Sequence, residues 1–483
     1  MCGIVGYVGY EQATPMLLHG LKNLEYRGYD SAGVAVHNKG KINVVKSKGR
    51  LNNLSQILDG GKNLVGTIGI GHTRWATHGE PSDTNSHPHI SESGKFAIVH
   101  NGIIENYLSL KNELIREGRT FISDTDTEVA VQLIDSLYDG NLLETVRKAI
   151  NKLQGSYAFG ILCSDFPDRI IAVRKDNPLI IGFGEKENYI ASDIPAILSK
   201  TRNICRLEDG NIAVLMADNV TIYDNNMNVI SPNITHINWD VSSAEKCGYS
   251  HFMYKEIMEQ PKAIRDTILP RIKDGKIVLD NIELSADYLN SLSKICIVAC
   301  GSAYHVGCIA KYVIEKVTRI PVEVDLASEF RYRDPIIDSS ALVIVISQSG
   351  ETADTLAALR EAKKRGARIL SIVNVVGSSI ASESDDVIYT WAGPEIAVAT
   401  TKAFSTQLAV IYLIAIYIAE RLNKIPDETY NNYISELLQI PEKIEKILEK
   451  ADEVKTLAES TFNARNAFFI GRGLDYAVSL EVL

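Results

Sequence analysis

The first residues of the chain could carry out nucleophilic chemistry. The sequence opens Met1-Cys2-Gly3, and cysteine is small enough for an initiator methionine ahead of it to be removed. Removal would leave a thiol and a free α-amino group on one residue, and an amine with a pKa of about 7.7–8.0 can act as a base near neutral pH. Because the thiolate is the reactive form, Cys2 is a candidate nucleophile. The alternative is a small apolar residue that opens a strand.

Three polar stretches of the first half could assist such a nucleophile. His100-Asn101-Gly102 follows an apolar run, and an Asn amide beside a Gly N–H can hold an oxyanion. Arg74 lies in residues 71–79, which are polar enough to predict a loop, and suits a bidentate grip on a carboxylate. Asp126 stands at a predicted helix start, where N-capping is an equally good explanation.

The histidines of this region raise the question of a metal site. The candidates are His72, His78, His87 and His89, with Asp83. Their spacings fit no zinc motif, so we expect no metal there. No motif in the sequence requires an organic cofactor, so we expect none.

Composition excludes several functional classes. The chain has 483 residues and a net charge of −10, which argues against a generic binder of nucleic acid or anionic membranes. Seven cysteines without a CxxC pair indicate a reducing compartment. No signal peptide is evident, and the apolar run 408–419 is shorter than the ~18 residues of a membrane span. The composition therefore favours a cytoplasmic protein with two to three domains.

The order of predicted elements changes along the chain. Residues 2–220 carry runs of strands with helices near 12–24, 104–117, 127–138 and 141–154, which predicts α+β layers. Residues 221–285 are predicted to be a linker and connecting helix. In residues 286–430 apolar strands alternate with helices, which predicts an α/β domain with a parallel doubly wound sheet. Residues 457–483, with a predicted strand at 466–470, resemble the start of a second copy, so we expect the sequence to be truncated.

Two strand-to-helix turns of the α/β domain could bind a phosphate. They contain Ser302 and the run Ser347-Gln348-Ser349-Gly350-Glu351-Thr352. Ligands in such sheets lie at the carboxyl ends of the strands, where helix N-termini and hydroxyl groups can hold a phosphate without a basic side chain. Ordinary N-capping is the alternative.

Residues 2–6, 25–31, 72–79 and 100–106 together resemble the N-terminal-nucleophile glutamine amidotransferase domain, an αββα sandwich. Residues 347–355 are similar to a sugar isomerase (SIS) domain. More narrowly, both halves resemble the glutamine–fructose-6-phosphate aminotransferase (isomerizing) family, also called glucosamine-6-phosphate synthase. The resemblance implies conversion of fructose 6-phosphate and glutamine to glucosamine 6-phosphate and glutamate, the first step of amino-sugar synthesis. It also implies a homodimer through the SIS domains.

The resemblance implies roles for individual residues. Cys2 would attack the glutamine amide, with Asn101 and Gly102 holding the oxyanion. The residues implied to bind glutamine are Arg74, Trp75, Thr77, His78 and Asp126. Those implied to bind the sugar phosphate are Ser302, Ser347, Gln348, Ser349, Thr352 and the main chain near Val398. The sequence departs from the family at Ala303, where a hydroxyl is lost.

Three other functions stay open from the sequence. The chain could be an amidotransferase with a different acceptor, such as a phosphoribosyl compound. It could act only as a glutaminase, because the family's isomerising glutamate, its ring-opening histidine and its C-terminal lysine would all follow Leu483. It could also be a phosphosugar-sensing module. The SIS-like half argues against a different acceptor. The intact candidate residues of the amidotransferase half argue against a mere phosphosugar-sensing module.

Overall fold

The computed structural model describes residues 2–25, 28–75, 79–237, 248–280 and 282–482. The chain divides into two compact units, Met1–Ala244 and Glu245–Leu483. The finer division drawn from the sequence stays a prediction.

The described residues of the first unit form two antiparallel sheets and five α-helices. Its strands are β1 (Gly3–Val8), β2 (Ser31–Asn38), β3 (Lys41–Lys48), β4 (Ile68–Arg74), β5 (His89–Ile90), β6 (Phe96–Ile104), β7 (Gly155–Cys163), β8 (Arg169–Lys175), β9 (Ile180–Phe183), β10 (Asn188–Ala191), β11 (Asn203–Arg206), β12 (Ile212–Met216), β13 (Val220–Tyr223), β14 (Val229–Ile230) and β15 (Ile234–His236). Its helices are α1 (Ala13–Lys22), α2 (Leu51–Ile57), α3 (Tyr107–Arg116), α4 (Asp126–Ser136) and α5 (Leu142–Ile150).

The two sheets stack face to face between layers of helix. The strand orders are β15-β11-β9-β10-β1-β4-β2-β3 and β14-β13-β12-β8-β7-β6-β5. Strand β1 shows why the first sheet packs on both faces, because successive side chains of a strand point to opposite faces. Ile4 and Val8 join the apolar layer shared by the two sheets. Val5 and Tyr7 pack with α1 and α2 on the other face. Helices α3, α4 and α5 cover the second sheet. The αββα sandwich is confirmed.

The second unit contains a five-stranded parallel sheet and a short hairpin. Its strands are β16 (Ile272–Lys273) and β17 (Lys276–Ile277) in the hairpin, and β18 (Lys294–Ala299), β19 (Val322–Leu326), β20 (Ala341–Ser347), β21 (Arg368–Val373) and β22 (Asp386–Tyr389) in the sheet. Its helices are α6 (Phe252–Ile268), α7 (Ala286–Ser291), α8 (Ser302–Thr318), α9 (Ala327–Phe330), α10 (Ala353–Lys364), α11 (Ser379–Glu383), α12 (Lys402–Arg421), α13 (Asp427–Leu448), α14 (Ala451–Thr461) and α15 (Leu474–Val482).

Helices cover both faces of the parallel sheet, whose order is β19-β18-β20-β21-β22. Ile295 and Ile297 of β18 pack with α6, α8, α12 and α13, whereas Cys296 and Val298 pack with α9, α10 and α11. The predicted doubly wound α/β architecture is confirmed. Helix α12 is long and apolar enough to cross a membrane, but 72% of its most apolar window is buried within the unit. It has the character of a core helix.

The predicted strand at residues 466–470 is wrong for the described structure. Those residues form no ladder, and Phe468 and Ile470 are 91% and 92% exposed. A strand needs a neighbour to pair with, and within the described part of the chain none lies beside this segment. The helix expected after it does form, as α15, and packs on α8, where His305 Nδ1 lies 2.7 Å from Glu481 Oε2.

Candidate functional site

Cys2 lies immediately before β1, at the edge of the first sheet where β1 begins and β4 ends. In the β1–β4 ladder Gly3 lies opposite Thr73, which brings Cys2 beside the last residues of β4. The backbone N–H of Trp75 donates to Cys2 Sγ over 3.2 Å. Burial raises the pKa of the Cys2 thiol, and the Trp75 N–H and the Arg74 guanidinium oppose that rise. A thiol with a raised pKa needs a base nearby before it can attack.

Asn101 and Gly102 reach Cys2 from the second sheet. Both lie inside β6, paired with β7, and not after the strand as the sequence suggested. Asn101 Nδ2 donates to the carbonyl oxygen of Cys2 over 2.9 Å. Gly102 has φ +133°, and a Cβ there would stand 2.1 Å from the Ser156 carbonyl oxygen. Only glycine allows this approach, so the amide and the N–H can adjoin the nucleophile.

Arg74 and Asp126 supply opposite charges to the same cavity. Arg74 ends β4 and is 4% exposed, so residues 71–74 belong to a strand and not to the predicted loop. Burial lowers the pKa of Arg74, and the nearby Cys2, Asp30 and Asp126 oppose that effect. Asp126 is the first residue of α4, but the capping side chain is that of Thr125. Asp126 Oδ2 instead accepts the N–H of Ile104 over 2.9 Å.

These residues surround a cavity of about 280 Å³, near the lower end of the range for small-molecule sites. The lining comprises Cys2, Arg74, Trp75, His87, His100, Asn101, Gly102, Ile103, Thr125, Asp126, Thr127, Ser156, Asn177 and Pro178. Trp75 is 41% exposed and meets Tyr29 edge to face at 5.3 Å. Thr77 and His78, also expected to bind glutamine, lie outside the described residues. The walls formed by Asn177 and Pro178 carried no signal in the sequence.

Four histidines form a buried cluster at the cavity, and two of them, His87 and His100, belong to its lining. They are His72, His87, His89 and His100, and the rings of His72 and His87 stack at 4.2 Å. Burial lowers the pKa of His72 to about 3 and those of His87 and His89 well below the ordinary value. His72, His87 and His89 are therefore uncharged at neutral pH. Within the described ranges, no three His, Cys, Asp or Glu side chains form a group that could hold a metal ion.

The second unit places the predicted phosphate-binding residues at the carboxyl edge of its sheet. Strands β18 and β20 are neighbours, so the turns that follow them share that edge. Ser302 opens α8, and Ser347 ends β20. Ser347 Oγ accepts the N–H of Gly350 over 3.0 Å and lies 3.0 Å from Thr352 Oγ1. The turn is thus folded around its own hydroxyl groups.

Val398 lies farther along the chain, on the loop between β22 and α12, and is 74% exposed. Asn374 links this loop to the serine-rich turn. Its N–H donates to the Gln348 carbonyl oxygen over 3.1 Å, and its Nδ2 donates to the Gly393 carbonyl oxygen over 2.7 Å. Asn374 was not singled out in the sequence, because its role depends on β21 ending beside β20.

The two units match two family models. A glutamine amidotransferase domain matches residues 72–199, and an SIS domain matches residues 288–417. The fold and the two sites thus define an N-terminal-nucleophile amidotransferase unit joined to an SIS unit.

Proteins similar to this chain show which family within this class it belongs to. Glutamine–fructose-6-phosphate aminotransferase (isomerizing) of Caldanaerobacter subterraneus subsp. tengcongensis is 56% identical over 482 residues, which is 100% of this chain and 79% of that protein. The protein of the same name from Clostridium tetani is 57% identical with the same coverage. A solved C-terminal domain of glucosamine-fructose-6-phosphate aminotransferase from Francisella tularensis is 42% identical, covers 49% of this chain and 67% of its own, and has a TM-score of 0.47. The chain belongs to the glutamine–fructose-6-phosphate aminotransferase (isomerizing) family.

The Gly102→Ala substitution tests the close approach of β6 and β7. We expect it to destabilise the first unit by at least about 2 kcal/mol and to abolish glutamine hydrolysis, because the new methyl group would meet a backbone oxygen and L residues disfavour positive φ. Gly94→Ala is the matched control, since Gly94 has φ +73° with nothing within 4 Å of its Cβ position. Urea unfolding and glutamate release measure both effects. Equal effects of the two variants would contradict the steric argument.

Proposed function

We propose that this chain is a glutamine-dependent aminotransferase. It releases ammonia from L-glutamine in the first unit and uses it to convert fructose 6-phosphate to glucosamine 6-phosphate, the entry to hexosamine synthesis. One observation carries the proposal: Cys2, an oxyanion donor and two oppositely charged side chains line one cavity. We also propose a homodimer through the SIS domains and a cytoplasmic location, which rest on the family resemblance and the composition.

The cavity supports recognition of a free amino acid. Arg74 would bind the α-carboxylate as a guanidinium fork, and Asp126 would bind the α-ammonium. These two anchors hold the substrate at its zwitterionic end, so that its side-chain amide reaches Cys2. Trp75 lies at the rim and would cover the bound glutamine.

The reaction in the first unit then proceeds in two steps. The Cys2 sulfur attacks the amide carbon, and the carbonyl electrons move to an oxygen held by Asn101 Nδ2 and the Gly102 N–H. The carbon–nitrogen bond breaks when the α-ammonium of Cys2 returns the thiol's proton to the leaving nitrogen, which departs as ammonia. Water then attacks the thioester, giving glutamate and restoring the thiol.

The second unit supports recognition of a sugar phosphate. The turn after β20 presents the Ser347, Ser349 and Thr352 hydroxyls where α10 begins. Backbone N–H groups at a helix start and hydroxyls around them bind a phosphate dianion well. Ser302 adds a hydroxyl at the neighbouring turn, whereas Ala303 adds none.

The proposed base requires processing of the amino terminus. We expect the intact mass of the purified chain to be lower than that of the full sequence by one methionine residue, because only then does Cys2 carry the free amine. A chain that retains Met1 and still hydrolyses glutamine at full rate would contradict this mechanism.

The Cys2→Ala substitution separates the two sites. We expect it to abolish glutamine hydrolysis while fructose 6-phosphate affinity, measured by calorimetry, stays within about tenfold, since the two proposed sites belong to separate units of the chain and share no residue. Cys205→Ala is the control, because Cys205 is a buried thiol of the same unit outside the cavity. Loss of sugar binding together with hydrolysis would count against two separate sites. Glutamate release without glucosamine 6-phosphate would indicate a glutaminase only.

The Ser347→Ala substitution tests the phosphate site. We expect the binding of fructose 6-phosphate to weaken by roughly 1–3 kcal/mol, the cost of an unpaired polar partner, with glutamine hydrolysis retained. Ser371→Ala is the control, because Ser371 is a buried serine of the neighbouring strand β21. Unchanged affinity in the Ser347 variant would remove this residue from the site.

A further inference from the structure

We propose that His72 is a positioning residue that fixes which end of the Asn101 side-chain amide faces the nucleophile. The inference rests on the proposed function, because it assigns the Asn101 amide to the oxyanion. His72 lies on β4 in the first sheet, whereas Asn101 lies on β6 in the second. His72 Nε2 is 3.0 Å from Asn101 Oδ1 and 3.0 Å from the His100 carbonyl oxygen.

The proton on His72 is located by its neighbours. A backbone carbonyl oxygen can only accept, so Nε2 must carry the hydrogen. The other nitrogen, Nδ1, is buried without a hydrogen-bond partner among the described residues. Burial lowers the pKa of His72 to about 3, so a single proton is present at neutral pH. His72 is therefore the Nε2–H tautomer, a donor toward Asn101.

This donor decides the orientation of the amide. The two ends of an asparagine amide have nearly the same shape, so packing alone does not choose between them. The Nε2–H of His72 pairs well with Oδ1 and would oppose an NH₂ group. Asn101 Nδ2 must then point away from His72, and it donates to the Cys2 carbonyl oxygen over 2.9 Å. A flipped amide would present an acceptor to the oxyanion and destabilise it.

The imidazole is itself held in place. Its ring is fully buried and stacks on that of His87 at 4.2 Å with an interplanar angle of 19°. His87 Nδ1 in turn accepts the N–H of His100 over 3.3 Å. The strand that carries Asn101 and the ring that orients it are thus tied together, so the donor is set before substrate binds.

The test compares two ligands of the whole chain. Glutamate γ-semialdehyde adds the Cys2 thiol across its carbonyl group: a sulfur–carbon bond forms, and the carbonyl electrons move to an oxygen that takes up the thiol's proton. The product places this oxygen in the oxyanion site, whereas glutamate binds without one. The ratio of the two inhibition constants therefore reports the oxyanion donors. Nuclear magnetic resonance gives the concentration of open-chain aldehyde.

For His72→Phe we expect the preference for the aldehyde over glutamate to fall roughly 30-fold or more. We expect kcat for glutamine to fall by a similar factor, whereas KM should change less than about threefold. His72→Gln, which restores an N–H donor, should keep the preference within about fivefold of wild type. Should the Phe variant not fold, His72→Met removes the donor at similar volume. His37→Phe is the control, a buried histidine of β2 that contacts Ser164.

A double-mutant cycle tests the route of the effect. If His72 acts through Asn101, the variant with both His72→Phe and Asn101→Ala should match Asn101→Ala alone in kcat within about threefold. Three results would overturn the inference. The first is a double variant whose loss of kcat is the product of the two single losses. The others are an unchanged aldehyde preference in the donor-free variants and an equal loss of aldehyde and glutamate binding. If the wild type itself shows no preference for the aldehyde, the proposed function fails instead.

Discussion

The register of β1 on β4 is the constraint on which the amidotransferase site depends. Gly3 lies opposite Thr73, and a slip by one residue would turn every side chain of β1 to the other face. Ile4 and Val5 belong to different core layers, so such a slip would exchange side chains between two close-packed layers of different shape, which opposes it. The absence of a side chain at Gly3 matters equally, since a Cβ there would stand 2.6 Å from Thr73 Oγ1. Cys2 is therefore placed by the packing of the residues that follow it.

The second sheet completes the site because the apolar layer between the sheets gives way to polar residues near Cys2. His72, His100 and Asn101 are buried there, where an unpaired polar group would be costly. They bond to one another instead: His72 to Asn101 and to the His100 backbone, and His100 Nδ1 to Thr127 over 2.8 Å. The neutral imidazole of His72 allows this arrangement without adding charge beside Arg74. The hydrogen bonds among these buried side chains therefore also orient the groups around the nucleophile.

Much of this was predictable from the sequence, and the failures have a common cause. Cys2, Arg74, Asn101, Gly102 and Asp126 were singled out by their chemistry. However, His72 was assigned to a loop and Asn101 was placed after a strand, because polar residues rarely fill strand cores. Their partners lie on another sheet, which sequence spacing does not reveal. The tail at residues 466–470 looked like a strand but has no neighbouring strand in the described part of the chain. A local sequence pattern predicts a strand or helix well only where the fold also supplies the partners that this strand or helix needs.

The two proposed sites use different physical means of recognition. A zwitterionic amino acid calls for separate charges, and the first unit places Arg74 and Asp126 at one cavity. In the second unit the buried Lys402 lies 2.7 Å from Glu259, which also lies 3.5 Å from Lys255. Both cations are thus already paired with a carboxylate. In the proposed phosphate site the binding groups would be hydroxyls and N–H groups, which the turn after β20 fixes in place and which need no compensating charge when the site is empty.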